Sequence, residues 1–136
     1  MIWGIQWDET LKWLIDTGEK TYSEVGSDSI SWGNYYKNSF TYYTNTSKST
    51  ATKPSGSYAR IPSGAYEGTN ANNIFDLAGN VWDWTLESNG SGIGSYRDSR
   101  GGGFNYSRPY PASYRDDYYP YSSSNYDGLR CTLFIK

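Results

Sequence analysis

Apolar residues gather at a few places along the chain, and at each they keep one of two periods. Over "WDETLKWLIDTG" (7–18), Trp7, Leu11, Leu14 and Ile15 recur at helical spacing. Asp8 suits the N-cap and Gly18 the stop, so the pattern predicts one amphipathic helix packed on a core. From Tyr22 to Pro62 the text turns polar, rich in Ser, Thr, Asn and Tyr, and reads as long loop with a hairpin near "FTYYT" (40–44). "VWDWTLE" (81–87) alternates with period two after the Gly79-Asn80 turn signal, which puts Trp82 and Trp84 on one face of a strand. At the end, "LRCTLFIK" (129–136) predicts another strand with Leu129, Cys131, Leu133 and Ile135 on a shared face, Cys131 being a small buried residue.

Length and composition narrow the class. A chain of 136 residues makes one domain, spanning 1–136. Only 36% of it is hydrophobic, and 6 Trp and 15 Tyr carry much of that fraction. Disordered chains are poor in aromatics and strongly charged; this one has 18% aromatic residues and net charge −2, so it reads as folded. The near-neutral balance gives no electrostatic footprint for nucleic acid or an anionic membrane. No apolar run reaches membrane-spanning length, and residues 1–20 lack a signal-peptide pattern, so export calls for an upstream segment or a carrier assembly. With no His, neither a Ser-His-Asp triad, nor a Cys-His pair, nor a His-ligated metal is available. The single Cys131 forms neither an internal disulfide nor a thiolate cluster.

Six stretches occur in an order that resembles the formylglycine-generating enzyme (sulfatase-modifying factor) family: "GIQWDETLKWL" (4–14), "SWGN" (31–34), "NIFDLAGNVWDWT" (73–85), "RGGGF" (100–104), "ASYRD" (112–116) and "GLR" (128–130). The resemblance implies an α+β, C-type lectin fold of short strands, one or two helices and long loops. It also implies a strand before the first helix, which an excised domain would lack or another segment would supply. The oxidising members use two cysteines just after "RGG" as redox nucleophiles that bind copper. Those positions align with Tyr106 and Pro111 here, and neither side chain forms a thiolate or ligates Cu(I). The expectation is therefore a chain that is not an enzyme and requires no cofactor. The family's calcium site carries over to Asp76 and Asp83 by carboxylate and to Gly79 and Val81 by carbonyl, hard oxygen ligands of the kind Ca²⁺ takes. The alternative is that Asp76 and Asp83 only satisfy backbone N–H groups of the turn.

The C-terminal third has a narrow alphabet. From Ser88 to Phe134 there is no Lys, Glu, Gln, Met or Trp, although the rest of the chain uses these types freely. Replacing either adenine of an Asn codon by any base yields Asn, Tyr, Ser, Asp, Thr, Gly, Arg, Phe, Pro, Ala, Ile or His among its products, and never those five. Every residue from Gly101 to Gly128 lies in the reachable set. In this the chain resembles the variable proteins of diversity-generating retroelements, many of which share the C-type lectin fold and end in a "GFR"-like framework. That resemblance implies a variable region over about 99–127. The changing positions it implies are Gly103, Asn105, Tyr106, Arg108, Tyr110 and Asp116, followed by Asp117, Tyr118, Tyr119, Tyr121, Ser124 and Tyr126. Tyr supplies large, stiff, amphipathic contact area and Ser, Asn and Gly adapt around it, as in antibody loops.

The leading expectation is thus a ligand- or receptor-binding domain with a Tyr/Ser/Asn/Asp-rich face, the C-terminal part of a longer protein. It would be displayed on a phage tail or bacterial surface and recognise a protein or polysaccharide on a cell. Nucleic acid and membrane insertion are excluded as partners, and an oligomer is compatible with a tail fibre. Two other readings stay open: a divergent or non-catalytic member of the formylglycine-generating family, and a structural spacer of a tail or surface protein that uses the 22–62 region as its interface.

Overall fold

The computed structural model describes residues 1–90, 94–107, 110–122 and 124–131. In chain order its elements are α1 (Gly4–Asp16), α2 (Tyr22–Gly26), β1 (Phe40–Tyr43), β2 (Thr50–Lys53), β3 (Asn70–Ala71), β4 (Ile74–Phe75), β5 (Trp82–Asn89), β6 (Tyr96–Arg100), β7 (Arg115–Tyr118) and β8 (Asp127–Leu129). Single 3-10 turns add Ile30–Trp32 and Glu67–Thr69.

α1 begins earlier than the periodicity suggested. Trp3 is the cap residue, and Gln6 reaches back to accept from the Trp3 N–H at 2.9 Å. Asp8 therefore lies inside the helix rather than at its N-cap, and its carboxylate is held by Arg100 and Arg115 instead. The apolar face is as expected: Trp7, Leu11 and Leu14 are buried, and Ile15 packs against them. Gly18, at φ +76°, ends the helix, its N–H donating to Ile15 O at 3.0 Å.

The 22–62 region is more ordered than its polar text implies. α2 is capped reciprocally: Thr21 Oγ1 accepts from Glu24 N at 3.2 Å, and Glu24 accepts from Thr21 N at 2.8 Å. The signal was present as Thr-x-x-Glu, and it is short because only Val25 is buried along this helix. The expected hairpin forms from β1 and β2, with Phe40 opposite Lys53 and Tyr43 opposite Thr50.

The main sheet has four strands in the order β7-β6-β5-β8, antiparallel except for the parallel β5/β8 pair. Against it the α1 face meets Val25, Trp32, Tyr35, Leu77, Ala78 and Ala112 in the larger core cluster, and Trp7 Nε1 donates to Ala112 O at 2.9 Å. The terminal strand departs from expectation in phase. Gly128 pairs with Asp83 and Leu129 with Trp84, so Leu129 shares the outer face of the sheet and is 59% exposed. Arg130 turns inward instead, donating from Nε to Asp83 Oδ2 at 2.7 Å and from Nη2 to Phe75 O at 2.6 Å. Cys131 is accordingly exposed, not buried. A one-residue change of phase moves every side chain to the opposite face, and the buried Asp83 decides the phase here by demanding the guanidinium. Leu133 and Ile135 lie outside the described residues.

Candidate functional site

The alternation of β5, β6 and β7 sorts side chains onto two faces of the sheet. Register pairs Asp83 with Arg100 and Arg100 with Arg115, so these three share the face toward α1. There Asp8 pairs with both arginines, and Arg115 Nε donates to Glu87 Oε1 at 3.1 Å. Burial has pulled the Arg100 guanidinium below its ordinary range despite Asp8, while Glu87 and Asp8 hold Arg115 above its own. This network fastens β7, which lies within the narrow-alphabet segment, to helix and sheet.

The opposite face is aromatic. Trp82 is buried, and around its ring stand Tyr106, Tyr110 and Tyr114 at 5.7, 5.4 and 6.0 Å between centroids. Tyr106 and Tyr114 each contact Tyr110, at 4.7 and 4.5 Å. Trp84 carries Tyr118 edge-on at 6.4 Å, and Phe104 meets Tyr126 at 5.6 Å. The expectation that Trp82 and Trp84 share a face holds, and that face is the floor under the tyrosines.

The run itself divides by alternation. Asp116 and Tyr118 lie on the aromatic face, where Tyr118 Oη donates to Asp116 Oδ2 at 3.0 Å. Burial and that carboxylate push the Tyr118 phenol well above its usual range. Asp117, one residue away, pairs with Asp98 on the α1 side, and burial raises the Asp98 carboxyl. Tyr119 turns the same way and forms a second ring stack, 4.2 Å from Tyr96 and 5.0 Å from Tyr121. Because β7 is an edge strand of the sheet, both ring sets are open to a ligand approaching that edge.

Among the positions implied as changing, Asp117, Tyr118, Tyr119, Tyr121, Ser124 and Tyr126 are exposed. Asn105, Tyr106, Tyr110 and Asp116 are half-buried. Gly103 is buried: a Cβ there would lie 2.8 Å from Asn105 Oδ1 and 3.0 Å from Trp82 Nε1. It belongs to the floor, and an added side chain would collide rather than face a ligand. Arg108 lies outside the described residues. Trp82 Nε1 and Asn105 Oδ1 are buried without a hydrogen-bond partner among the described residues, a donor and an acceptor left under the rings. Beneath them Tyr35 Oη donates to Gly101 O at 3.2 Å and to Tyr110 O at 2.7 Å. Gly102, at φ +79°, must be glycine there, since a Cβ would come within 2.5 Å of Tyr110 O.

The Asp76–Asp83 turn forms a second constellation beside a cavity of about 520 Å³ that both carboxylates line with Ser63 and Arg130. Asp76 Oδ2 accepts from Ser63 Oγ at 2.8 Å and Gly64 N at 3.2 Å, whereas its Oδ1 is buried without a partner. Burial pushes the Asp83 carboxyl up to about 6 against the pull of Arg130, with Asp76 adding to the rise. No group of three or more His, Cys, Asp or Glu stands together among the described residues. The unpartnered Asp76 oxygen fits a hard cation; Asp83 is already shared with Arg130, so Asp76 would be the principal side-chain ligand.

The described part of Gly4–Arg130 also places residues that the sequence did not single out. The Tyr36 and Tyr58 rings meet at a tilt with centroids 4.6 Å apart, and Arg60 Nη1 donates to Asn125 O at 3.2 Å. Nothing in the polar 22–62 text marks them, because their proximity to the C-terminal third is purely tertiary.

Compared with known families, residues 9–134 match the model of the sulfatase-modifying factor enzyme 1-like domain. No curated protein and no solved structure gives a significant match.

Proposed function

The chain belongs to the sulfatase-modifying factor enzyme 1-like family, with its α+β, C-type lectin-like fold, and from that premise we propose that it is a divergent, non-catalytic member that binds a ligand through its tyrosine face. The observation that carries this reading is the exposure of Tyr118, Tyr119, Tyr121 and Tyr126, each held against another ring: Tyr118 on Trp84, Tyr126 on Phe104, and Tyr119 between Tyr96 and Tyr121. A contiguous exposed aromatic patch marks an interaction site on a monomer. Rings already held in place lose little freedom on binding. On the resemblance drawn from the sequence, the two catalytic cysteine positions of oxidising members align with Tyr106 and Pro111, and the Tyr106 ring is a wall of the aromatic cluster.

The codon-limited alphabet of 101–128 adds that the face is diversified by a retroelement, with the ligand on a cell surface and the domain carried on a phage tail or bacterial surface. A calcium ion at Asp76 belongs to this reading as support for the turn and takes no part in ligand contact.

The test is an array of bacterial surface polysaccharides beside a library of random short peptides, probed with the chain and with the Tyr118→Ser/Tyr119→Ser/Tyr121→Ser variant. Array members retained by the parent are expected to lose about tenfold or more in affinity for the variant. The melting temperature should fall by only a few degrees, since exposed substitutions cost ~0.5 kcal/mol or less each. Unchanged binding would sink the proposal, and a collapse in stability would assign the three rings to the core.

A further inference from the structure

We infer that the ligand surface includes a constant arm, Tyr36, Tyr58 and Arg60, outside the narrow-alphabet segment, and that the partner is a polypeptide presenting a basic side chain to Asp116 and Asp127. This rests on the ligand-binding reading above and narrows it.

The arm is exposed yet held. Tyr58 is 68% exposed, which would ordinarily mean a loose loop, but the backbone beside it is gripped by two buried asparagines. Asn34 Nδ2 donates to Ala59 O at 2.9 Å. Asn80 does for Ile61 what a neighbouring strand would, accepting from its N–H and donating to its carbonyl, both at 3.1 Å. Asn34 also donates to Asn80 Oδ1 at 3.1 Å, so the "SWGN" and "AGNVWDW" motifs act as one clamp on residues 59–61. Arg60 sits in the middle of that clamp with its side chain outside. Packing of the core does not require an exposed ring and a guanidinium to be presented this firmly. A contact surface gains from it, because little freedom remains to be lost on binding.

The arm also touches the tyrosine face. Arg60 Nη1 donates to Asn125 O, next to Tyr126. Tyr36 N donates to Tyr106 O at 3.4 Å, and Gly56 N to Tyr36 O at 2.8 Å, so the loop under Tyr58 follows the loop that carries the Trp82 cluster.

Charge identifies the partner. Asp127 pairs with Trp82 and Asp116 with Ser99, which puts both carboxylates on the aromatic face. They stand on the two edge strands of the sheet, β7 and β8; burial raises the Asp127 carboxyl, and the Asp116 charge adds to the rise. Neither makes an ion pair with any described residue, and the Asp116 carboxylate accepts only from the Tyr118 hydroxyl and the Asp117 N–H among the described side-chain bonds. Covering them with an acidic polysaccharide would set like charges together, and a neutral one would offer hydroxyl donors but no counter-charge. A lysine or arginine offers both a counter-charge and a cation for the ring faces. A polypeptide also brings carbonyl and carboxylate oxygens that Arg60 can take as acceptors at the other end.

The same array separates this inference from the reading beneath it, with Tyr58→Ser and Arg60→Gln tested beside the triple-serine variant. The parent chain is expected to enrich peptides carrying Lys or Arg. Each arm variant should weaken those peptides by about tenfold, and replacing their basic residue by Gln should do the same. If the triple-serine variant loses binding while both arm variants stay within about twofold, the arm is overturned and the tyrosine face stands. Retention of polysaccharides in place of basic peptides overturns the partner while leaving ligand binding intact. Binding indifferent to all three variants overturns both.

Discussion

Tyr110 and Tyr121 are eleven residues apart in one segment and chemically identical, yet they do different work. Tyr110 packs on Trp82, Tyr106 and Tyr114, and its carbonyl accepts from the buried Tyr35 hydroxyl. Tyr121 is 76% exposed and touches only the Tyr119 ring among the aromatic contacts of the described residues. Tyr110→Ser removes a supporting ring from a cluster and is expected to cost about 2–3 kcal/mol in denaturant unfolding. Tyr121→Ser is expected to stay within ~0.5 kcal/mol. Equal losses would mean that the run is a uniform layer, with no division into floor and face. Composition separates neither case, since both rings are reachable from the same codon and both look equally out of place in a polar loop.

At the scale of elements, the strongly periodic pieces were legible and the short ones were not. α1 and the Trp82/Trp84 strand follow from their own side chains, because each buries a face wide enough to show in the text, and the β1/β2 hairpin shows through the aromatic FTYYT run although only Phe40 and Lys53 are buried in it. α2 was written only in a Thr-x-x-Glu cap, and β8 took the opposite phase because Asp83, forty-five residues before Gly128, recruits Arg130. The Asp76–Asp83 turn was found through its motif, but its partners Ser63, Gly64 and Arg130 come from elsewhere in the chain. A cation bound at Asp76 stabilises whatever conformation holds it. Calcium is therefore expected to raise the melting temperature of the chelator-treated protein, and Asp76→Ala to abolish that rise. A melting curve that ignores both calcium and chelator removes the ion from the account.

For the whole molecule, one sheet separates two demands. Toward α1, Asp8, Arg100, Arg115 and Glu87 hold the scaffold; away from it lie the Trp82 and Trp84 ring clusters and two carboxylates, while the Tyr96, Tyr119 and Tyr121 rings gather at the β7 edge on the α1 side. If the segment is diversified, genes from related strains should differ at Asp117, Tyr118, Tyr119, Tyr121 and Tyr126, through adenine-derived bases. Gly102, Gly103 and Trp82, which are packed tightly, and Arg115, which pairs with Asp8 and Glu87, should not change. Sequencing such genes checks this directly, and third-base changes scattered along the whole chain would be the contrary result.

By itself the sequence determined the family, the helix and central strand, and the alphabet of the C-terminal third. Those depend on local periodicity, on motif residues in fixed order and on codon chemistry, none of which needs a second segment to be seen. Only the tertiary structure decided which tyrosines are floor and which are face, the inward turn of Arg130, and the position of Tyr58 and Arg60 beside Asn125. Each of these is settled by a partner far along the chain, and a pattern read residue by residue carries no record of where that partner will stand.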